Sequence, residues 1–219
     1  MKYALVLITH GDAPWLYPTL KAFAELVDPR PAVRIAVVDG ASASHPPITP
    51  LGAWLGHVHG EQLGFCAAAK SGWDAAVESD CEYVFWLEND FLVQRRIDLA
   101  ALAFELDRDH SLAQMSLMRN AVNEAERRAG GIFDLIRPEF EARLSIATAG
   151  PWLSHRAYFT TNPSLMRRTF MAENPWPDYP TECEGQFGMD LVERGYHFGV
   201  WGDGTPWVEH VGVRTGEGY

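Results

Sequence analysis

"YVFWLENDFLV", residues 83–93, is the stretch on which the fold turns. Six mostly apolar residues run up to Glu88, Asn89 and Asp90, and apolar residues then resume. Such a run suits a strand covered on both faces. A buried, unpaired carboxylate costs several kcal/mol or takes up a proton. Two of them at a strand end therefore call for a cation or a ligand.

The preceding sequence repeats this design. "YALVLI", residues 3–8, is another continuous apolar run, broken by "THGDAP". Asp12 before Pro14 marks a helix start, and the spacing of Trp15, Leu16, Leu20, Phe23, Ala24 and Val27 predicts a helix over 14–27. "VRIAVVDGAS", residues 33–42, is a strand ending in Asp39 and Gly40. Residues 43–60 read as a loop with a short edge strand at 57–59, and "LGFCAAAKSGWDAAVES", residues 63–79, reads as a helix. Alternating strands and helices predict a parallel α/β sheet with right-handed crossovers. Ligands in such sheets sit beyond the carboxyl ends of the strands. Thr9 to Asp12, Asp39 to Ser42 and Glu88 to Asp90 all fall there.

The second half is less regular. A helix at 98–109 and a strand at 113–118 are expected, and residues 119–150, charged and carrying Gly130-Gly131, read as a mobile lid. "ECEGQFGMDLVERGYHFGVWGD", residues 182–203, reads as a helix ending at Gly195 followed by a strand. Without a repeat or linker, residues 1–219 are expected to form one domain, with a ligand-binding half at 1–92 and a second half at 93–219.

Bulk properties narrow the function. The chain has 219 residues, and its 18 basic against 29 acidic side chains give a net charge of −11, which disfavours nucleic acid and anionic membranes. Residues 119–168 run the other way, with eight Arg against five acids; they are either a solvated patch or a face toward something anionic. Cys66, Cys81 and Cys183 lack metal-type spacing and are expected to be reduced, in a cytoplasmic protein. The apolar start is too short for a signal peptide, and no apolar run approaches the roughly 18 residues of a membrane span.

The ordered set "ITHG" (8–11), "VVDGAS" (37–42), "LGFCAAAKSGWDAA" (63–76) and "FWLENDF" (85–91) resembles the family 2 glycosyltransferases, whose fold is called GT-A. The resemblance covers residues 3–92 in order and spacing, and 150–212 more weakly. It implies a single Rossmann-like α/β domain with a mostly parallel central sheet flanked by helices. It also implies a nucleotide-diphosphate sugar as donor, with a UDP-sugar favoured, and Mn²⁺ or Mg²⁺ as cofactor. Thr9, His10, Gly11, Asp39 and Gly40 would line the nucleoside pocket, and Lys70 would approach the diphosphate. Asp39 reads alternatively as a turn or helix cap.

Chemistry agrees with the acidic motif. The departing diphosphate gains negative charge, which a hard cation held by carboxylate oxygen stabilises. The resemblance makes Asp90 the principal metal ligand, with Glu88 a further ligand that also meets the sugar, Asn89 beside it and His210 in "WVEHVGVRTG" completing the metal site; read as residues alone, the acids are alternatively a solvated strand end and His210 a structural histidine. On an extended chain, Glu88 and Asp90 would point the same way. His57 and His59 read as edge-strand histidines. An inverting reaction needs a general base opposite the leaving group. Glu184 is the first choice and Glu182 the second, both alternatively favouring the positive end of a helix. Trp152, Arg156 and Asn162 are acceptor-site candidates, and Arg167 and Arg168 are candidates to reach a diphosphate or an anionic acceptor.

The expected activity is metal-dependent, inverting sugar transfer to an acceptor hydroxyl on a saccharide or small molecule. The small actinobacterial and phage members that this chain resembles add a modified DNA base, which the net charge disfavours. Two alternatives remain: a nucleotidyltransferase that makes sugar nucleotides, and a non-catalytic sugar or nucleotide binder.

Overall fold

The computed structural model describes residues 1–10, 14–40, 52–131, 141–148 and 150–212. Gly11 and residues 132–140 of the expected lid lie outside the described residues.

Chain order explains the first half. Strand β1 (Tyr3–His10) leads into helix α1 (Leu16–Leu26), and β2 (Val27–Asp28) and β3 (Val33–Asp39) follow. Then come β4 (Leu55–Val58), α2 (Phe65–Glu78), β5 (Tyr83–Glu88) and β6 (Phe91–Val93). The second half comprises β7 (Ile97–Asp98), α3 (Leu99–Arg108), β8 (Leu112–Leu117), α4 (Glu124–Ala129), β9 (Glu141–Leu144), β10 (Pro151–His155) and β11 (Ser164–Arg167). It ends with α5 (Arg168–Glu173), α6 (Cys183–Glu193), β12 (His197–Trp201) and β13 (Val208–His210).

Among the described residues nine strands form one sheet in the order β4-β3-β1-β5-β11-β8-β12-β10-β9. Pairing is parallel through β4, β3, β1 and β5, and again between β8 and β12. β11 enters antiparallel between β5 and β8, and β10 and β9 close the far edge antiparallel. The sheet is therefore mixed, and the expectation of a mostly parallel one holds only for the first half.

Alternation divides the core. Tyr3, Leu5 and Leu7 of β1 and Tyr83, Phe85 and Leu87 of β5 face one layer with Leu20 and Phe23 of α1 and Leu102 and Leu106 of α3. Ala4, Val6 and Ile8 of β1, with Val84 and Trp86 of β5, face the other, against Trp73 of α2, Phe170 of α5 and Phe187 and Leu191 of α6. Successive strand residues point to opposite faces, so an unbroken apolar run is what two helical layers require. Trp73 anchors the second layer, with ring centroids 5.3 Å from Trp176 and 5.4 Å from Phe187.

Three expectations are corrected here. Cys66 and Cys183 are joined in a disulfide that ties the start of α2 to the start of α6, while Cys81 is free and buried. Arg167 is buried, and its guanidinium donates to the carbonyls of Leu106, Asp109, His110 and Leu112. Arg168 donates to the carbonyls of Cys81 and Val77. Both arginines hold chain segments together instead of reaching an anion. Trp152 belongs to the core.

Among the described residues no helix is long and apolar enough to cross a membrane.

Candidate functional site

Three adjacent parallel strands bring the expected clusters to one edge. His10 lies opposite Asp39, and Ile8 lies opposite Glu88. Because β11 runs antiparallel, it begins at the edge where β5 and β8 finish: Ser164 pairs with Trp86 on one side and Ser116 on the other. The loop before β11 therefore joins the first-half residues at that edge.

The chain is not extended through the acidic motif. β5 stops at Glu88, and Asn89-Asp90 forms a turn before β6. The turn is held by Asn89 N–H donating to the Ile8 carbonyl (3.1 Å) and by Thr19 Oγ1 donating to the Asn89 carbonyl (2.8 Å). The two-residue periodicity expected of Glu88 and Asp90 is thus broken, and the two acids have different neighbours.

Asp90 meets His210. β6 and β13 pair antiparallel with His210 opposite Phe91, and Val211 N–H donates to the Asp90 carbonyl at 2.9 Å. Asp90 Oδ2 lies 3.1 Å from His210 Nε2. Gly212 is required beside it, because a Cβ there would fall 1.9 Å from Asp90 Oδ2. Asn120, which the sequence did not single out, accepts the His210 backbone N–H at 2.7 Å and fixes β13 in place. A bidentate Arg119–Glu126 pair secures the neighbouring segment, with Arg119 Nη1 2.8 Å from Glu126 Oε2.

Glu88 turns toward the second half. The Thr161 hydroxyl lies 3.0 Å from Glu88 Oε1 and 2.6 Å from Glu184 Oε1, and the Thr161 backbone N–H also donates to Glu184 Oε1. Glu184 stands in the first turn of α6, which crosses this loop closely: a Cβ on Gly188 would fall 2.8 Å from the Phe159 nitrogen. Glu182 is exposed, immediately before the helix, and is the one described non-glycine residue with a positive φ (53°). Asp190 further along α6 accepts from the Tyr179 hydroxyl at 3.1 Å.

Asp39 is buried and well supplied with donors. Oδ1 accepts from Leu63 N–H (2.9 Å) and lies 2.8 Å from His59 Nδ1, while Oδ2 accepts from Gly64 N–H (2.8 Å). A carboxylate only accepts, so His59 carries a proton on Nδ1, while its Nε2 lies 2.9 Å from the Ser71 hydroxyl. Asp39 thereby holds the entry to α2, and a nucleoside would have to use the lone pairs these donors leave. His59 is accordingly more than an edge-strand histidine. Gly40, at φ +77°, admits Gln62, whose Cβ would lie 3.1 Å from a Cβ at position 40. Thr9 is buried and its Oγ1 has no hydrogen-bond partner; His10 is exposed at the same strand end. Lys70 pairs with Asp178 (3.3 Å) and more loosely with Asp74 (3.9 Å) at the surface. Asn162 donates its backbone N–H to Thr160 Oγ1, and Arg156 is exposed.

The chemistry at Asp90 is compatible with a divalent cation. Its Oδ1 is buried with no hydrogen-bond partner, an expensive state for a carboxylate oxygen unless something supplies positive charge. Carboxylate oxygen with one imidazole suits Mn²⁺ or Mg²⁺. Among the described residues no group of three or more His, Cys, Asp or Glu is gathered around one point. Cations of this type commonly take only one or two carboxylates from the protein and complete their shell with phosphate oxygens and water.

A second polar cluster lies at the opposite edge. Ser154 Oγ is 2.7 Å from His197 Nδ1, and His197 Nε2 is 3.0 Å from Asp109 Oδ2. Burial raises the Asp109 pKa, but hydrogen bonds from Ser111 and His197 together outweigh it and leave the carboxyl below its ordinary value. His155 beside them is pushed down from 6.5 to about 4, mainly by burial and secondarily by His197. Ser154 and His197 are themselves buried, so this cluster braces β10 against β12.

The mixed sheet between two helical layers is an α/β architecture similar to a glycosyltransferase fold. The chain is similar to S. aureus TarS, with a TM-score of 0.64 at 12% identity over 95% of this chain and 36% of TarS. It is likewise similar to TarS 1–349, with a TM-score of 0.63 at 13% identity over 95% of this chain and 60% of that one. It thus spans only part of the TarS chains it matches, and likeness at such identity concerns the fold alone. No family profile and no curated protein matches the sequence.

Proposed function

We propose that the protein is a glycosyltransferase that moves a sugar from a nucleotide-diphosphate donor to an acceptor hydroxyl with inversion at the anomeric carbon. One observation carries this reading: a buried, unpartnered Asp90 oxygen beside His210, and Glu184 joined through Thr161 to Glu88, share the carboxyl edge of a GT-A-type sheet.

Asp90 and His210 would hold the divalent cation, which when bound supplies positive charge to the leaving diphosphate. Glu88 approaches the sugar, and the edge formed by Thr9, His10 and Asp39 receives the nucleoside. Glu184 is the general base. It takes the proton of the acceptor hydroxyl while the acceptor oxygen bonds to the anomeric carbon. The bond from that carbon to the diphosphate oxygen breaks, and its electron pair leaves with the nucleotide. Glu184 is preferred over Glu182 because it faces the Glu88 contact, whereas Glu182 points into solvent ahead of the helix.

A thermal-shift screen of UDP-, GDP- and dTDP-sugars with Mn²⁺ tests donor binding, followed by nucleotide release with and without chelator. Stabilisation by one donor class and chelator-sensitive release are expected. Tight binding without any turnover would instead describe a binding protein.

A further inference from the structure

We infer that Thr161 is a positioning residue for Glu184, orienting the base. The inference rests on the reading of Glu184 as the base. Thr161 is buried and gives two hydrogen bonds, from its backbone N–H and its hydroxyl, to one oxygen of Glu184. Both fall on Oε1, which leaves Oε2 unengaged by these two donors. A carboxylate held by two donors on one oxygen has its second oxygen aimed, and such aim is what proton transfer demands.

The loop is itself immobilised. Gln114, fully buried on β8, donates from Nε2 to the Thr160 carbonyl (3.1 Å) and accepts the Thr160 N–H at Oε1 (3.4 Å). Leu117 N–H donates to the Pro163 carbonyl at 2.8 Å, closing the loop onto β8 from the other side. α6 lies against Phe159 by virtue of Gly188. Thr161 is thus fixed by the sheet on one side and touches the helix that carries the base on the other.

One hydroxyl proton lies within reach of two carboxylates, at 2.6 Å from Glu184 and 3.0 Å from Glu88, and the shorter contact takes it.

The test measures nucleotide release from the best donor of a UDP-, GDP- and dTDP-sugar panel with Mn²⁺, water serving as acceptor. Wild type, Thr161→Val, Thr161→Ala, Thr161→Ser and Glu184→Gln are compared. Loss of a charge-assisted hydrogen bond predicts that Thr161→Val and Thr161→Ala lower kcat about tenfold to a hundredfold, with donor KM unchanged. Thr161→Ser, which keeps the hydroxyl, restores the rate. Should Thr161→Val not fold, the Ala and Ser pair decides alone. Equal losses in Ala and Ser, or a rise in donor KM with kcat unchanged, overturn the inference even if Glu184→Gln is inactive. Full activity in Glu184→Gln removes the base and the inference together. No release by wild type from any donor defeats the functional reading itself, and this inference with it.

Discussion

Residues 1–93 and residues 94–212 use one sheet in two ways. The first part lays down β1, β3, β4 and β5 as parallel neighbours, each strand ending at the ligand edge. The second part returns to that edge by an antiparallel strand, β11, and by a ribbon, β13, that pairs with β6. In the first part, position follows from strand ends alone. In the second, it depends on single side chains such as Gln114, Asn120 and Thr161 that tie distant segments together. The two parts should therefore fail differently when altered.

The largest failure is expected at Asp90. Asp90→Ala should lower nucleotide release on the order of a thousandfold and abolish Mn²⁺-dependent donor stabilisation, because the proposed ligand of the cation is gone. Calorimetric titration of donor with Mn²⁺ checks the binding arm, and retention of the full rate in chelator would break the comparison at its root.

Glu184→Gln should sharpen it. The rate should fall about a hundredfold to ten-thousandfold while donor affinity stays unchanged, since the proposed base acts on the acceptor. Equal loss of donor affinity would erase the distinction between the parts.

Arg167→Met tests the structural assignment. It should cost roughly 3 kcal/mol in urea unfolding, because buried carbonyls of the 106–112 segment lose their donor. Donor affinity in the folded protein should not change. A selective loss of donor binding without loss of stability would return Arg167 to the ligand.

His155 gives a pH dependence confined to the second part. Its folded pKa is depressed from 6.5 to about 4, so folded and unfolded chains are both neutral there above pH 6.5. As pH falls through that window, the unfolded chain takes up a proton that the folded one refuses. Stability is therefore lost between pH 6.5 and about pH 4, by up to about 3 kcal/mol. Urea midpoints at pH 7 and pH 4.5 should differ less in His155→Gln than in wild type.

What the sequence made readable follows the same division. The apolar runs at 3–8, 33–38 and 83–87 announce themselves because two helical layers demand unbroken burial. Helices at 16–26, 65–78, 99–108 and 183–193 lie close to where periodicity and Gly195 put them. Asp90 and His210 were nameable, and they do meet. Thr161, Gln114 and Asn120 left no trace, because neutral side chains gain importance only from partners tens of residues away. Cys66 and Cys183 went unpaired in the reading for a similar reason, being separated by 117 residues. The turn at Asn89-Asp90 was missed because a short apolar run after it looked like continued strand.

Strand order also has a bearing on biosynthesis. One side of β5 pairs with β1, only about eighty residues earlier, but its other side waits for β11 at Ser164–Arg167. During vectorial synthesis the backbone groups and aromatic faces of β5 therefore stay uncovered while the ribosome adds the intervening residues. A chain stalled in that interval would present a sticky parallel sheet with an open flank, the state in which chaperone capture or edge-to-edge association is most probable.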